Sequence, residues 1–287
     1  MPELPEIEIV KISLLKKINK AKIINIKIFN NNLRYKISNK LPNKLINKKI
    51  LNISRRSKYL LFHFKDQILL AHLGMTGKFL IIRSKDNKIF RTSFYYNLNI
   101  IEKHNHICFL LNNGLSLVYN DVRKFGFLKL FKYSKLKKIS FLEKLGPEPF
   151  SPCFNLKYVL NYIKNRNKNV KNLLMDQNFV SGLGNIYVNE VLFLSKIYPG
   201  KLCKKLKKES IKKIIKNIKK ILNTSIIKGG SSIRDFKNIK GESGSFQDFF
   251  KVYGRENKKC SRISCNGKIK KIIISSRSTY YCNKCQK

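Results

Sequence analysis

The sequence predicts an α+β protein of two domains: an N-terminal β-sandwich or barrel with a leading helix, then a helical domain ending in a four-cysteine cluster with zinc-finger spacing. Three observations carry this. Short apolar runs separated by Asn and Gly turns fill the first half, the apolar period lengthens to a helical one after a proline-rich break, and four of the seven cysteines lie in the last 28 residues. At 287 residues the chain is long enough for two cores.

From Pro5 to about Lys20, Val10, Leu14, Leu15 and Ile18 recur at helical spacing behind a Pro and Glu start, which predicts a helix. From Ala21 to about Tyr133 the pattern shortens. Ile23 to Ile28, Tyr59 to Phe64, Ile68 to Ala71, Lys78 to Ile82, His106 to Leu111 and Leu115 to Tyr119 read as strands. Many short strands without interleaved helices point to a sandwich or barrel, placed at residues 1–133. Residues 134–152 read as an interdomain linker, since Leu145-Gly-Pro-Glu-Pro-Phe-Ser-Pro152 holds three of the seven prolines. Helices follow at Phe154 to Ile163, Lys171 to Asp176, Tyr187 to Ser195 and Glu209 to Ile221, giving a helical domain over 153–228. In the last of these, Ile211, Ile214, Ile215, Ile218 and Ile221 line one face and lysines the other. Such a charge run is commonly a solvated face whose lysine stems cover apolar surface. Residues 229–287 hold a loop and the finger, the latter from about 252.

The balance of 61 Lys and Arg against 16 Asp and Glu gives a formal net charge of +45, while 43% apolar residues exclude a disordered basic tail. A cation this strong binds polyanions by counterion release, so nucleic acid is the expected partner and an acidic membrane surface the second choice. Part of the charge is compositional, because Lys, Asn and Ile crowd the whole chain as AT-rich coding produces. No apolar run reaches the roughly 18 residues of a spanning helix. Glu3, Glu6 and Glu8 replace the basic region of a signal peptide, so a cytoplasmic, nucleoid-associated protein with reduced cysteines is expected.

Cys260-x4-Cys265, 16 residues, then Cys282-x2-Cys285 is the spacing of a closed, structural tetrathiolate zinc site. Between the knuckles, Lys268 to Ile274 and Thr279 to Tyr281 form two strands, which places Ser275, Ser276, Arg277 and Ser278 at the turn. Arg277 then projects from a rigid hairpin, either simply solvated or able to enter a nucleic-acid groove.

Three of the first eight residues are Glu in a chain with only 16 acids. Removal of Met1 leaves Pro2 with a free secondary amine, which condenses with an aldehyde-level carbon to an iminium, and Glu3 lies within reach as acid or base. Ordinary helix-start chemistry, Pro at the first position and Glu against the dipole, explains the same residues. Lys58 shares a strand face with Leu60, Phe62 and Phe64, which suits a desolvated proton-transfer lysine or one that snorkels. In His72-Leu-Gly-Met-Thr-Gly77 and Asn120-Asp-Val-Arg-Lys-Phe-Gly126, Met75 and Phe125 are wedges that unstack bases, with Arg123 filling a vacated space, or else buried core. Ser181-Gly-Leu-Gly-Asn-Ile-Tyr187 offers N–H groups and Asn185 to a phosphate at a helix start.

Taken together, Met1-Pro-Glu-Leu-Pro-Glu6, Ser57-Lys-Tyr-Leu60, His72-Leu-Gly-Met75, Arg123-Lys-Phe-Gly126, Leu145-Gly-Pro-Glu-Pro149, Leu174-Met-Asp176, Gly184-Asn-Ile-Tyr187, Val252-Tyr-Gly-Arg255 and the terminal Cys-x2-Cys-Gln-Lys resemble the formamidopyrimidine-DNA glycosylase family. The resemblance implies an N-terminal β-sandwich, a helix–two-turn–helix domain, one structural zinc and damaged double-stranded DNA as partner, with a monomeric chain and no nucleotide cofactor or membrane. It implies Pro2 as nucleophile on the deoxyribose C1′, Glu3 as proton donor in base removal, Lys58 in β-elimination and Arg277 in δ-elimination. Met75, Arg123 and Phe125 match gap-filling residues; His104, Arg166, Lys171 and Asn185 match phosphate contacts. Gly229-Gly-Ser-Ser-Ile-Arg-Asp-Phe236 resembles the loop over a flipped lesion. Val122 and Lys124 stand where the family often has Pro and Arg, and the first knuckle has four intervening residues rather than two. The expected activity is excision of oxidised purines with strand cleavage. The related endonuclease VIII branch usually has Gly at the position of Leu4, and a zinc-finger DNA-binding protein without catalysis or a basic RNA-binding protein are the other readings.

Overall fold

The fold is that of a computed structural model, which describes residues 1–91, 102–231 and 246–287. Two compact units divide it: Met1–Glu143 with Ile226–Gln247, and Lys144–Ser225 with Asp248–Lys287.

In the first unit, α1 (Leu4–Ile18) leads into β1 (Ile23–Ile28), α2 (Leu41–Leu45), β2 (Asn52–Arg56), β3 (Tyr59–His63), β4 (Gln67–His72), β5 (Lys78–Arg83), β6 (Ile89–Arg91), β7 (Asn105–Leu111), β8 (Leu115–Asn120), β9 (Phe127–Lys132) and α3 (Ser140–Glu143). Two antiparallel sheets result, ordered β1-β7-β8-β5-β6 and β2-β3-β4-β9. The alternation of side chains along a strand sorts them between two cores. On β4, Leu69 and Ala71 join Phe79, Ile107, Leu117 and the α1 residues Val10 and Leu14 in the main core. Ile68 and Leu70 face the other way, into a cluster with Leu61, Phe127 and Ile139. Each fully buried aliphatic or aromatic side chain contributes about 1.5–3 kcal/mol, so both faces of the smaller sheet stabilise the unit.

That second cluster corrects the linker reading. Tyr133–Lys138 and α3 are helical turns, and Leu136, Phe141 and Leu142 pack on the outer face of the smaller sheet. The chain passes to the second unit only at Lys144, ahead of the proline-rich run. Lys58 is also displaced from its expected strand. It is the second residue of the turn joining β2 to β3, where Arg56 pairs with Tyr59, although Leu60, Phe62 and Phe64 do share the main core.

The second unit contains α4 (Leu156–Ile163), α5 (Val170–Met175), α6 (Asn185–Ser195), most of α7 (Lys208–Ile227), and the finger hairpin β10 (Ile269–Ile274) and β11 (Arg277–Cys282). Asn155 and Asn169 cap α4 and α5 by accepting the N–H groups of Tyr158 and Asn172 at 3.0 and 2.8 Å. Helix α6 is buried on nearly every side, and α7 buries Ile211, Ile214, Ile218, Ile221 and Leu222. The hairpin turn is tighter than the sequence predicts. Only Ser275 and Ser276 form it, both left-handed at φ 48° and 58°, while Arg277 is already the first strand residue, opposite Ile274.

Candidate active site

Helix α1 begins with a capping box: Glu3 is the N-cap, and Glu6 accepts the Glu3 N–H at 2.9 Å. The second carboxylate oxygen of Glu6 accepts the N–H and hydroxyl of Ser231, at 3.0 and 2.9 Å. Glu8 pairs with Arg55 at 2.7 Å and with Lys11. The three N-terminal acids therefore have separate roles, and Glu3, only 3% exposed, is the one at the chain end. Burial lowers the α-ammonium pKa of Met1 below its ordinary 8.0; Glu3 and Glu6 oppose that shift, and Lys58 and Arg123 add to it. Pro2 and Lys58 are buried too, Lys58 to 6% exposure, and Ser57 holds its turn in the left-handed region at φ 56°. A backbone held there by a non-glycine residue costs about 1–2 kcal/mol, and that cost sits beside the chain terminus. Pro2, Glu3 and Lys58 are thus all buried, and the charges of Glu3 and Lys58 both act on the chain terminus.

The two glycine loops close on each other around Asp121, which is fully buried. Its carboxylate accepts the Gly126 N–H at 2.8 Å, the Arg123 N–H at 3.3 Å and the Thr76 hydroxyl, while its own N–H donates to the His104 carbonyl at 3.0 Å. A Cβ on Gly74 would stand 2.5 Å from the Gly126 nitrogen, so the loops touch through their backbones. Carried by this frame, Met75 and Phe125 are 38% and 45% exposed, and the Arg123 guanidinium lies 4.7 Å from the Phe125 ring centre. They border a cavity of about 730 Å³ that Met1, Arg34 and His72 also line. Burial, helped by Lys58 and Arg34, brings His72 down to about 4, so its ring is neutral and its Nδ1 accepts the Gly74 N–H at 3.1 Å.

In the second unit, Arg166 is exposed, its guanidinium stacked 4.0 Å from the Tyr162 ring centre. Asn185 opens α6 and donates to the Ser278 carbonyl at 3.0 Å. Arg277 is exposed. Lys171 differs from its expected place at a phosphate. It is 1% exposed, and its ammonium donates to Thr279 Oγ1 at 2.6 Å and to the carbonyls of Arg277 and Ser278, both at 3.4 Å. It holds the strand that carries Arg277.

The four finger sulfurs lie within 4.8 Å of one another, with Cys260 to Cys285 at 3.9 Å and Cys265 to Cys282 at 3.6 Å. Zinc bonded to sulfur at about 2.3 Å in a tetrahedron requires separations of about 3.8 Å, so the donor set fits one structural zinc. Burial opposes ionisation of Cys282, but the backbone N–H groups of Cys285 and Lys284 outweigh it and bring the thiol to about 7. The longer first knuckle supplies Arg262, whose Nη2 donates to the Phe193 and Leu194 carbonyls at 2.8 and 3.2 Å, on the last turn of α6. Asn189 Oδ1 takes the Tyr280 N–H at 2.7 Å, and Glu190 takes the N–H groups of Lys251, Val252 and Tyr253 at 2.9–3.0 Å.

Asp121, Thr76, Arg34, Asn189, Glu190 and Arg262 are residues that motif reading passes over. Only Asp121 left a legible signal, an acid inside a glycine-closed loop of a basic chain. Of the loop beginning at Gly229, residues 232–236 lie outside the described residues. Among the described residues no helix is long and apolar enough to cross a membrane.

Comparison with known proteins follows the same layout. Family models for the formamidopyrimidine-DNA glycosylase N-terminal domain, the formamidopyrimidine-DNA glycosylase H2TH domain and the zinc finger found in FPG and IleRS match residues 1–128, 145–237 and 257–287. The formamidopyrimidine-DNA glycosylase of Rickettsia conorii is 40% identical over 287 residues, spanning 100% of this chain and 99% of that one. The Lactococcus lactis Fpg in complex with abasic-site DNA is 36% identical, with a TM-score of 0.85 over 99% of both chains. A Lactococcus lactis FPG mutant in complex with Fapy-dG containing DNA gives 0.87 at 36% identity over the whole of both. Family models over most of the chain and relatives at 36–40% identity over essentially its whole length place this chain in the formamidopyrimidine-DNA glycosylase family.

Proposed function

We propose that this DNA-repair glycosylase excises oxidised purines, 8-oxoguanine and formamidopyrimidines, from duplex DNA and then cuts the strand by β,δ-elimination through an imine on Pro2. The observation that carries the reading is the burial of Glu3 and Lys58 around the chain terminus. Once Met1 is removed, the Pro2 nitrogen attacks C1′ of the everted nucleotide. The bond to the base breaks as Glu3 delivers a proton, and the opened sugar is held as an iminium. Loss of a C2′ proton to the Glu3 carboxylate then expels the 3′ phosphate, protonated by Lys58, and loss of the C4′ proton to water in a second elimination expels the 5′ phosphate, protonated by Arg277. Met75, Arg123 and Phe125 fill the space left in the duplex. His104, Arg166 and Asn185 take backbone phosphates, and Lys171 acts through the strand of Arg277. Zinc supplies structural closure of the finger and no chemistry. The chain works as a monomer without a nucleotide cofactor.

The test is incubation with a duplex carrying one 8-oxoguanine opposite cytosine, with borohydride present. A covalent adduct at Pro2 is expected, with a much smaller yield from Pro2→Gly, whose primary amine still condenses but does not form the iminium directly. Binding without an adduct, or a mature protein that retains Met1, overturns the proposal in favour of a DNA-binding protein without lyase chemistry.

A further inference from the structure

Residues 201–220 carry ten lysines and a single acid, Glu209, which is one cation in every two residues against about one in five for the chain as a whole. Compositional drift toward lysine would spread the charge evenly, and it is concentrated on α7 and the turn leading into it. The apolar face of α7 is buried through Ile211, Ile214, Ile218 and Ile221, so the helix is fixed in rotation and presents Lys208, Lys212, Lys213, Lys216 and Lys220 to solvent. Like charges stand one turn apart at 208 and 212, 212 and 216, and 216 and 220, where they repel. Lys208 and Lys212 also add to the positive end of the helix dipole. Of these five, among the described residues only Lys212 has a carboxylate partner, Glu209 at 3.2 Å. A face that repels itself on its own helix is relieved by an anionic partner.

We infer that this face docks the phosphate backbone of a second duplex DNA segment, separate from the one whose lesion is processed. The choice of DNA rests on the proposed function; the cationic surface does not. From Lys208 to Lys220 the helix runs about 18 Å, a length over which duplex DNA presents on the order of ten charges. Over 208–220 no exposed aromatic or large aliphatic side chain lies among the lysines, and the one on α7, Ile227, stands two turns beyond Lys220 at the helix end, so this stretch lacks the row of apolar insertions that binding to a lipid surface uses. It offers no exposed Arg, Asn or Gln toward base edges over 201–220, so its recognition is of backbone alone. Its position separates it from the lesion contacts of its own unit. Asn217 Nδ2 bonds Ser195 Oγ at 3.0 Å and the Tyr187 hydroxyl bonds Ser225 Oγ at 2.6 Å, so α7 runs antiparallel to α6. The lysines therefore extend past the end of α6 opposite Asn185, about 15 Å from it.

The experiment uses the full zinc-loaded chain bound to an immobilised duplex with a tetrahydrofuran abasic analogue, then offered a fluorescent undamaged duplex. Wild type is expected to capture the second duplex. The quadruple variant Lys212→Gln, Lys213→Gln, Lys216→Gln, Lys220→Gln should lose capture at least tenfold, and the corresponding Lys→Arg variant should retain it. For undamaged duplex, the slope of log affinity against log salt should fall in magnitude by about 3–4 in the Gln variant, at about 0.9 per phosphate. Borohydride trapping on the lesion duplex should be unchanged. Capture equal in wild type and Gln variant, no capture by wild type, or retention of anionic phosphatidylserine vesicles in place of duplex overturns the inference. Failure of trapping with lysine-dependent capture intact would instead remove the catalytic reading and leave this surface standing.

Discussion

Asp121 Oδ2 accepts the Gly126 N–H at 2.8 Å, and that bond closes the loop presenting Arg123 and Phe125. The same carboxylate reaches Thr76 on the facing loop, so one buried acid sets the spacing of the loops that carry Met75 and Phe125. Asp121→Ala leaves several buried donors without an acceptor, at about 1–3 kcal/mol each before relaxation. A urea midpoint lowered by an amount equivalent to about 3 kcal/mol is expected. On the proposed role of Met75 and Phe125, affinity for an abasic-analogue duplex should fall roughly tenfold as their loops lose this frame. Unchanged affinity at full folding would show that the loops hold without it.

Gly74 has φ +60° and no room for a side chain, since a Cβ would meet the Gly126 nitrogen and the Phe125 carbonyl carbon, both at 2.5 Å. Gly114 also has a positive φ, +72°, but nothing within 4 Å. Gly114→Ala should therefore cost only the left-handed conformation, about 1 kcal/mol, and leave activity alone. Gly74→Ala should cost at least twice that and raise KM for lesion DNA, because the facing loop must move. Paired thermal melts and steady-state kinetics decide between the two costs.

Burial, and secondarily the Arg277 guanidinium, bring Lys171 down to about 8 from an ordinary 10.5. Between those values the unfolded chain binds more protons than the folded one, so stability rises with pH across that window. The cost of the buried charge is fully present below about pH 8 and amounts to about 3 kcal/mol at most. Lys171→Met should remove this slope, seen as a wild-type minus variant difference in denaturant stability between pH 8 and 10. The same variant should slow δ-elimination more than base excision, since it loosens the strand of Arg277. Equal slowing of both steps would deny it a positioning role.

Arg262 caps the C-terminal carbonyls of α6 from the knuckle itself. Arg262→Ala is expected to cost about 1–2 kcal/mol and to speed zinc release to a chelator, read by a metallochromic dye. Chelation of the wild type should release one zinc per chain and abolish duplex binding by the finger unit. Zinc release at the wild-type rate in the variant would show that the cap does not couple to the metal site.

Helices are legible where apolar spacing is regular, as in α1 and α7, and strands where short apolar runs are bounded by Asn and Gly turns. Strand β2 is not, because Asn52-Ile-Ser-Arg-Arg56 has one apolar residue and takes its conformation from pairing with β3. Strand β9 is not legible either: Phe127 and Phe131 share the face of Lys129, and Lys132 shares the face of Leu128 and Leu130, so the run has no polar side. The cysteine spacing carried the metal site, since ligand chemistry constrains sequence directly. Lys171 was misplaced for the opposite reason: a lysine's burial depends on what folds over it, here a hairpin about a hundred residues downstream. Four small or polar residues permit a wide loop that includes Arg277, whereas two adjacent left-handed serines make a tight one that leaves it in the strand.

The bonds from Ser231 to Glu6 tie the start of the chain to residues that follow the whole of α7. Expressed alone, residues 1–143 would carry the proline and both sheets yet leave a sequestered carboxylate stripped of two donors. The unit that holds Pro2 and Glu3 is thus not a portable cassette: synthesis must reach residue 231 before Glu6 has both of these donors, and a circularly permuted version opened near residue 143 would keep what a simple truncation discards.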